Sequence, residues 1–436
     1  MGSATPTSAD EVQLHFVASG SAGATDNIFS APDGGMTSRD ADVTYTLTPG
    51  VIGSFGTPRT THEFALNASF NGYLDHREAW GLQVFGDYRA AIALTPLADL
   101  SLSAGLSRGV TTALIHQTAP SDGAATPTPA GEVNQQGAHV DEALAYSLSS
   151  DTRLQQHASA SYTQVTDASD AEVGTLQLNV GVGGDHGFQV SSAGVDVGVS
   201  FLAFDRPPSM AMSAEPDRRA DARLGLRWRR DVSQRWSIGA DAGVVTVIPI
   251  DGDAGLTPVP VISANATYVP EWGTASVQVG RAVTANPFIA QQTVGESAAV
   301  NVNLPLPWLN RDRASDDPEW TASGSLAGAR SRILNTDTGA LDGELVNGLI
   351  DLGVAFVPRE EMTFALRFQY TRQETLEGIP GMDGSTDLPS LSRSTLLFTF
   401  TYRYPGRIVS RLPPRRLLRV DEESTPLQER RGERGR

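Results

Sequence analysis

The chain of 436 residues contains 43 glycines, 26 prolines and no cysteine, and its formal net charge at pH 7 is −17. This acidic balance excludes a nucleic-acid-binding surface, which needs a clustered cationic face, and the lack of cysteine excludes disulfides, thiolate metal sites and cysteine nucleophiles. No apolar run approaches the roughly 20 residues of a membrane-spanning helix, so a membrane protein with this sequence has to be a β-barrel.

Residues 1–10 carry no strand pattern and form a short N-terminal lead. They contain no basic segment followed by an apolar stretch, the pattern of a secretory signal. We expect that the protein is exported to the bacterial outer membrane and that its signal has been removed.

Between residues 11 and 404, short segments alternate apolar and polar side chains with a period of two. This alternation predicts strands with one apolar and one wet face, and each segment has about the 9 to 11 residues needed to cross a bilayer at a tilt. We predict an all-β fold, a transmembrane antiparallel up-and-down β-barrel of about eighteen strands. The predicted strands are 11–28, 41–53, 62–74, 79–95, 98–114, 138–149, 153–165, 173–184, 193–204, 220–230, 235–248, 259–269, 273–284, 297–305, 319–333, 346–357, 361–373 and 391–404.

The connecting segments alternate between short and long. Short links such as 149–152 and 358–360 take turns with long ones such as 115–137 and 205–219, and 306–318 is an exception, a long link where a short one is expected. Bacterial barrels have short periplasmic turns and longer external loops, so the order of the links predicts that both termini are periplasmic.

Residues 405–436 lack the alternation and are rich in Arg and interrupted by Pro. This composition predicts a disordered periplasmic tail, or a segment that folds when it binds a partner.

A soluble all-β protein would also alternate apolar and polar residues. In this chain the wet face is rich in Ser, Thr, Asn, Gln and Gly, which suits a hydrated lumen better than a charged outer surface. Trp and Tyr residues near strand ends are typical of the aromatic girdle that lies among lipid headgroups. The candidate girdle residues are Trp80, Trp228, Trp236, Trp272, Trp320, Tyr402 and Tyr404.

Charged residues on the wet faces are the candidate pore lining. The arginines could attract an anionic solute as it passes, or they could brace the wall by pairing with lumen carboxylates. The carboxylates expected to form such pairs are Asp87, Asp196, Asp241 and Asp351. We favour bracing, since the chain is acidic. The candidate pore-lining residues are Arg89, Arg223, Arg227, Arg229, Arg367, Arg393, Arg403, Asp87, Asp241 and Asp351.

Catalytic patterns are poorly represented. The histidines are scattered without metal-ligand spacing, and neither a Gly-x-Ser-x-Gly elbow nor a phosphate-binding Gly-Lys loop occurs. We therefore predict no enzyme activity, no catalytic residues, no metal and no cofactor.

Two stretches carry a family resemblance. Residues 25–32, TDNIFSAP, followed by 42–50, DVTYTLTPG, resemble the opening hairpin of outer-membrane β-barrels found with exopolysaccharide and exosortase (PEP-CTERM) systems, and the last strand, with Phe398, Phe400 and Tyr402, looks like the signal recognised by the barrel-assembly machinery. The chain departs from synthase-dependent exporters in having no helical repeat domain before the barrel, and from many barrels in continuing past the last aromatic strand.

The resemblance implies a conduit that secretes an exopolysaccharide across the outer membrane. Its implied partners are outer-membrane lipid, the polysaccharide as transported substrate and a periplasmic polysaccharide-export protein, with no nucleic acid. Two alternatives stay open at this point, a general diffusion porin for small solutes and a surface structural or adhesion barrel.

Overall fold

The computed structural model of the chain describes residues 12–28, 40–57, 59–112, 132–166, 172–205, 217–250, 256–286, 291–306, 308–309, 320–335, 341–359, 361–377 and 390–404. The predicted lead, 1–10, and the predicted tail, 405–436, lie outside these ranges.

Eighteen strands account for most of the described residues. They are β1 (Gln13–Thr25), β2 (Asp42–Thr57), β3 (Thr60–Tyr73), β4 (Gly81–Thr95), β5 (Ala98–Thr112), β6 (Glu132–Ser147), β7 (Thr152–Thr166), β8 (Glu172–Gly187), β9 (Ser191–Asp205), β10 (Asp217–Asp231), β11 (Trp236–Pro249), β12 (Thr257–Tyr268), β13 (Thr274–Asn286), β14 (Gln291–Pro305), β15 (Trp320–Leu334), β16 (Leu341–Arg359), β17 (Met362–Glu377) and β18 (Leu391–Tyr404). Within the described ranges there is one helix, a single 3-10 turn at Arg77–Ala79, and no helix long and apolar enough to span a membrane.

The strands form one closed sheet. Each strand pairs antiparallel with the next along the chain, and β18 pairs with β1 through a register that includes Phe16 with Tyr404 and Thr25 with Thr395. Closure gives each strand a hydrogen-bonded neighbour on both sides, which is the condition for a sheet in hydrocarbon. The predicted antiparallel barrel of eighteen strands is confirmed.

Several strands are longer than predicted. β6 begins at Glu132 instead of 138, β14 begins at Gln291 instead of 297, and β16 covers Leu341–Arg359 instead of 346–357. The added residues continue the ladder with a neighbouring strand, but some lie in buried positions where a strict apolar and polar alternation is lost, as at Val133 and Val294.

The two ends of the barrel differ in their connections. At the end where β1 starts and β18 finishes, called the turn end below, links such as 58–59, 96–97 and 360–361 are short. The opposite end, called the loop end, has the long links, including 113–131 and 378–390. The link 306–319 is a long connection at the turn end, as the sequence predicts.

Candidate transport pathway

One face of β10 lines the interior of the barrel. On this face Asp221 accepts a hydrogen bond of 2.6 Å from the Gln292 amide of β14, and the Arg219 guanidinium lies 3.5 Å from the same side chain. β10 and β14 are not neighbours in the sheet, so these contacts can form only across the lumen. Because side chains alternate along a strand, Arg223, Arg227 and the other odd-numbered residues of β10 face the lumen as well.

The opposite face of the sheet is apolar and uncovered. Leu226 on β10 is 64% exposed, and Leu366 on β17 is 50% exposed. The described residues provide no second layer of protein for these side chains to pack against, which is the arrangement a soluble sandwich would need. The fold and its surface therefore define a transmembrane β-barrel of the bacterial outer-membrane type, with lipid outside.

This surface gives a direct test of lipid exposure. Val197→Arg, on the exterior of β9, should destabilise the folded barrel by about 2–4 kcal/mol, because a cation is placed in hydrocarbon. Ser263→Arg is the matched control, since Ser263 on β12 faces the lumen and bonds Asp241 at 2.9 Å. Denaturant titration in detergent or lipid should show the loss for the first variant only, and equal stability of both would contradict a lipid-facing exterior.

Most of the predicted girdle residues are near the turn end. Trp236 stacks on Tyr268 with ring centroids 4.4 Å apart, and Trp320 stacks on Phe356 at 4.5 Å. Trp80 lies instead at the loop end, where its indole nitrogen donates to the backbone of Tyr73 at 2.9 Å. The predicted residues near the turn end are Trp228, Trp236, Trp272, Trp320, Tyr402 and Tyr404.

The β10 arginines have acidic neighbours on the adjacent wall. The Nε atom of Arg223 lies 3.5 Å from Asp196 on β9, and that of Arg227 lies 3.6 Å from Asp185 on β8. Asp185 also accepts a hydrogen bond of 2.9 Å from Gln155 on β7. The row of cations is therefore largely neutralised locally, which favours the bracing interpretation of these residues.

A second brace joins β16 and β17. The Nε atom of Arg367 lies 2.8 and 2.6 Å from the two carboxylate oxygens of Asp351, and a further bond comes from its terminal nitrogen. The Asp351 carboxylate is buried against the wall, whereas half of the Arg367 side chain is open to the lumen. Such bidentate pairs fix both groups in position.

The remaining candidates are spread around the lumen. Arg89 and Asp87 share the lumen face of β4, Arg229 lies on β10 near the turn end, and Arg403 lies on β18 at the turn end. All ten predicted pore-lining residues thus lie on the lumen side of their strands, and their part in transport stays a prediction.

Near the loop end, the lumen is filled by apolar side chains. One cluster joins Val133, Val165, Val173, Leu202 and Phe204 from β6 to β9. A second cluster contains Val245, Val247, Val259, Val294 and Leu334 from β11, β12, β14 and β15. Side chains that line a water-filled channel are normally polar, whereas these apolar side chains are buried against one another. The lumen is therefore constricted at this end.

The constriction is built by the ends of β13 and β14 turning inward. β13 pairs with β12 only as far as Arg281, although the strand continues to Asn286. Beyond that point Val283 packs on the second cluster, and Ala285 packs on the first cluster, the one from β6 to β9. Lower on β13 the same face is exposed to lipid at Val279. The loop-end part of this hairpin has therefore left the wall and crosses the lumen.

Irregularities in β15 and β16 accompany the bend. The register shifts between Ser331 and Ile333 and again between Glu344 and Leu345, and Gly343 has a φ of 62° that favours glycine. Such bulges bend a strand away from the regular sheet. They allow the tip of β15, at Leu334, to follow the β13–β14 hairpin toward the interior.

Polar contacts hold the hairpin against the far wall. Gln292 at the start of β14 donates to Asp221 and lies next to Arg219, and Arg219 also donates to Asp217 at 2.6 and 2.9 Å. Gln292 is almost completely buried. We call these four residues the latch.

Residues 25–27, called the TDN segment below, join the end of β1 to β18 at the seam where the barrel closes. The Asp26 carboxylate accepts a bond of 2.7 Å from the backbone nitrogen of Ser394, and the Asn27 amide donates to the backbone oxygen of Ser392 at 3.0 Å. Arg393, predicted as pore lining, is only 3% exposed and donates to Thr25 at 2.9 Å. Its place at the seam gives it a structural contact in addition to its position on the lumen face.

Sequence reasoning missed the constriction and the latch. A signal was present, since Leu202, Phe204, Val245 and Val247 are apolar residues on faces that are otherwise polar. Each lies near the loop end of its strand, and together they indicate that the lumen there is not filled with water.

No protein-family model matches the sequence, and no curated protein matches it. Solved structures with a similar barrel include the outer membrane protein opdK from Pseudomonas aeruginosa, at 9% identity over 90% of this chain and 99% of that chain with a TM-score of 0.45. OccAB3 from Acinetobacter baumannii has 10% identity over 90% of this chain and 100% of that chain with a TM-score of 0.43. The FrpB iron transporter from Neisseria meningitidis has 8% identity over 90% of this chain and 82% of that chain with a TM-score of 0.47. These values do not identify a family.

Proposed function

We propose that the chain is an outer-membrane channel for small hydrophilic solutes, narrowed at its loop end. The observation that carries the proposal is the combination of a polar lumen in the middle of the barrel with a hairpin that crosses that lumen. A barrel of this strand number is too wide for its own side chains to fill, so water occupies whatever the hairpin leaves open. Solutes small enough to pass beside the hairpin can diffuse through.

The constriction bears on the size of the solute. An exopolysaccharide chain needs a continuous path wide enough for a sugar ring through both ends of the lumen. The contacts of Val283, Ala285 and Gln292 cross that path at the loop end. The exopolysaccharide conduit stays a prediction that requires this hairpin to move, whereas a small-solute channel requires no rearrangement.

The lumen charges favour cations. The arginines on the lumen face of the described strands are Arg89, Arg153, Arg219, Arg223, Arg227, Arg229, Arg367, Arg393 and Arg403. They are outnumbered by acidic residues on the same face, which are Asp42, Glu63, Asp87, Asp99, Asp141, Asp185, Asp196, Asp217, Asp221, Asp231, Asp241 and Asp351. Rings of acidic side chains attract cations into a pore, so we expect a weak cation preference.

Reversal potentials in planar bilayers test this preference. Asp87→Asn combined with Asp141→Asn should move the cation-to-anion permeability ratio toward unity, because Asp87 is exposed and about half of the Asp141 side chain is open to the lumen. Arg89→Gln, on the same face of β4 as Asp87, is the matched control and should raise the ratio. Equal ratios in the wild type and both variants would contradict the proposed selectivity.

The competing functions predict different results. A small-solute channel gives conductance in bilayers, and its deletion lowers solute uptake while surface polysaccharide is unchanged. Deletion of a polysaccharide conduit leaves solute uptake unchanged and abolishes surface polysaccharide. A surface adhesion barrel keeps its binding when the lumen is blocked, and absence of conductance in correctly folded protein would overturn the channel proposal.

A further inference from the structure

The exterior of β6 and β7 contains a polar patch. Glu142 lies on the same face of β6 as Val140 and Tyr146, which are exposed to the outside of the barrel. Gln156 lies on the matching face of β7, beside the exposed Leu154, and its amide is 3.5 Å from the Glu142 carboxylate. Both side chains therefore face away from the lumen.

The patch is near the middle of the membrane. Glu142 is four residues from Tyr146, which stands near the turn end of β6. At about 3.3 Å per residue and a tilt near 40°, this places Glu142 roughly 10 Å above that level. The apolar band of an outer-membrane barrel is about 25 Å tall, so Glu142 lies well inside it.

The neighbours of Glu142 on the adjacent strands are apolar. Glu142 is paired in register with Leu102 on β5 and with Ala158 on β7, and Ala158 is followed around the barrel by Val180 on β8. Acidic and amide groups that face hydrocarbon are unfavourable unless they find polar partners, and a second protein surface at this position would supply such partners.

The patch is complementary to itself. It offers an acceptor at Glu142 and a donor at Gln156, side by side. The small side chains of Ala138, Ala158 and Ala160 on the same faces leave room for a second sheet to approach closely. A second polar pair, Gln136 with Gln164, continues the patch along the same two strands toward the loop end.

We propose that this face of β6 and β7 is the interface between copies of this chain in the membrane. A second copy related by an axis along the membrane normal carries Glu142 and Gln156 at the same depth, so the donor of one copy meets the acceptor of the other. A different membrane protein would present a matching donor and acceptor at the depth of Glu142 and Gln156 only by coincidence. The proposal is independent of what passes through the lumen.

Cysteine crosslinking tests the interface, because the chain has no native cysteine. Ala158→Cys, treated in native membranes with a short bismaleimide, should give a covalent oligomer of this chain. Leu352→Cys on β16 is the matched control, since it is 52% exposed on the exterior of another part of the wall and should stay monomeric. Crosslinking at Ala158 that is no stronger than at Leu352, or that joins only other proteins, would overturn the proposal.

Light scattering in mild detergent provides the second measurement. The wild type should be oligomeric, and the double variant Glu142→Leu with Gln156→Leu should be monomeric while it retains heat-modifiable migration, the sign of an intact barrel. If wild type and variant are both monomeric, and the variant unfolds at a higher temperature, the two polar side chains face lipid and the proposed interface does not exist.

Discussion

Replacing residues 284–293 by the dipeptide Asn-Gly should raise the single-channel conductance severalfold. Val283 and Val294 are directly opposite each other in the β13–β14 ladder, so a two-residue turn can join them without strain in the flanking strands. The deletion removes Ala285 and Gln292, which contact the far wall. With these contacts gone, the water-filled cross-section at the loop end increases, and conductance in planar bilayers measures it directly.

A matched control separates the constriction from the general effect of shortening a hairpin. Gly187 and Ser192 are directly opposite in the β8–β9 ladder at the turn end, so residues 188–191 can be replaced by the same dipeptide. This variant should conduct like the wild type. If both variants migrate as folded barrels and the 284–293 deletion leaves conductance unchanged, the hairpin does not limit the pore.

Removing only the latch contacts should raise the conductance less than deleting residues 284–293 does. Asp221 and Arg219 hold Gln292 by side-chain contacts, but the apolar packing of Val283 and Val294 holds the same hairpin independently. Polar contacts alone contribute about 1 kcal/mol each on balance. Removing the latch therefore loosens the hairpin without clearing the lumen.

The barrel could be predicted because its determinants are local. A strand between lipid and water shows its two faces in five or six consecutive residues, as Leu366 and Phe368 against Arg367 and Gln369. Closure then follows from the need to pair every backbone group in hydrocarbon. The errors are confined to strand ends, where the alternation fades while the ladder continues.

The ion pairs could be predicted in kind but not in detail. Asp351 was expected to brace an arginine and does so with Arg367, whereas Asp241 was expected to do the same and accepts a bond from Ser263. Asp185, which neighbours Arg227, was not among the candidates. The partners depend on register and tilt, which set which side chains on neighbouring strands meet, and no local pattern records these.

The hairpin that forms the constriction could not be predicted from the sequence for a different reason. It joins Ala285 on β13 to the apolar cluster of β6 to β9, and Gln292 on β14 to Asp221 on β10. These contacts join strands that are not neighbours in the sheet. A dyad pattern identifies the face of each residue but carries no information on a hairpin that leaves its own wall.

The double variant Asp26→Ala with Asn27→Ala should weaken closure of the barrel, lowering the free energy of unfolding by about 2–3 kcal/mol. Each side chain is hydrogen-bonded to the backbone of β18, at Ser394 and Ser392, and Asn27 is fully buried. A buried polar partner that is left unsatisfied costs about 1–3 kcal/mol, so the two losses together are large for a single segment. The heat-modifiable migration of the detergent-extracted protein should be lost at a lower temperature.

Asn335→Ala is the control for this experiment. Its amide donates to Asp342 at 2.9 Å in an exposed position at the end of β15, away from the seam. Exposed contacts of this kind contribute less than about 0.5 kcal/mol, so the control should unfold at the wild-type temperature. If the seam variant is as stable as the control, the TDN segment does not act as a clasp. Closure must then depend on the β1–β18 ladder alone.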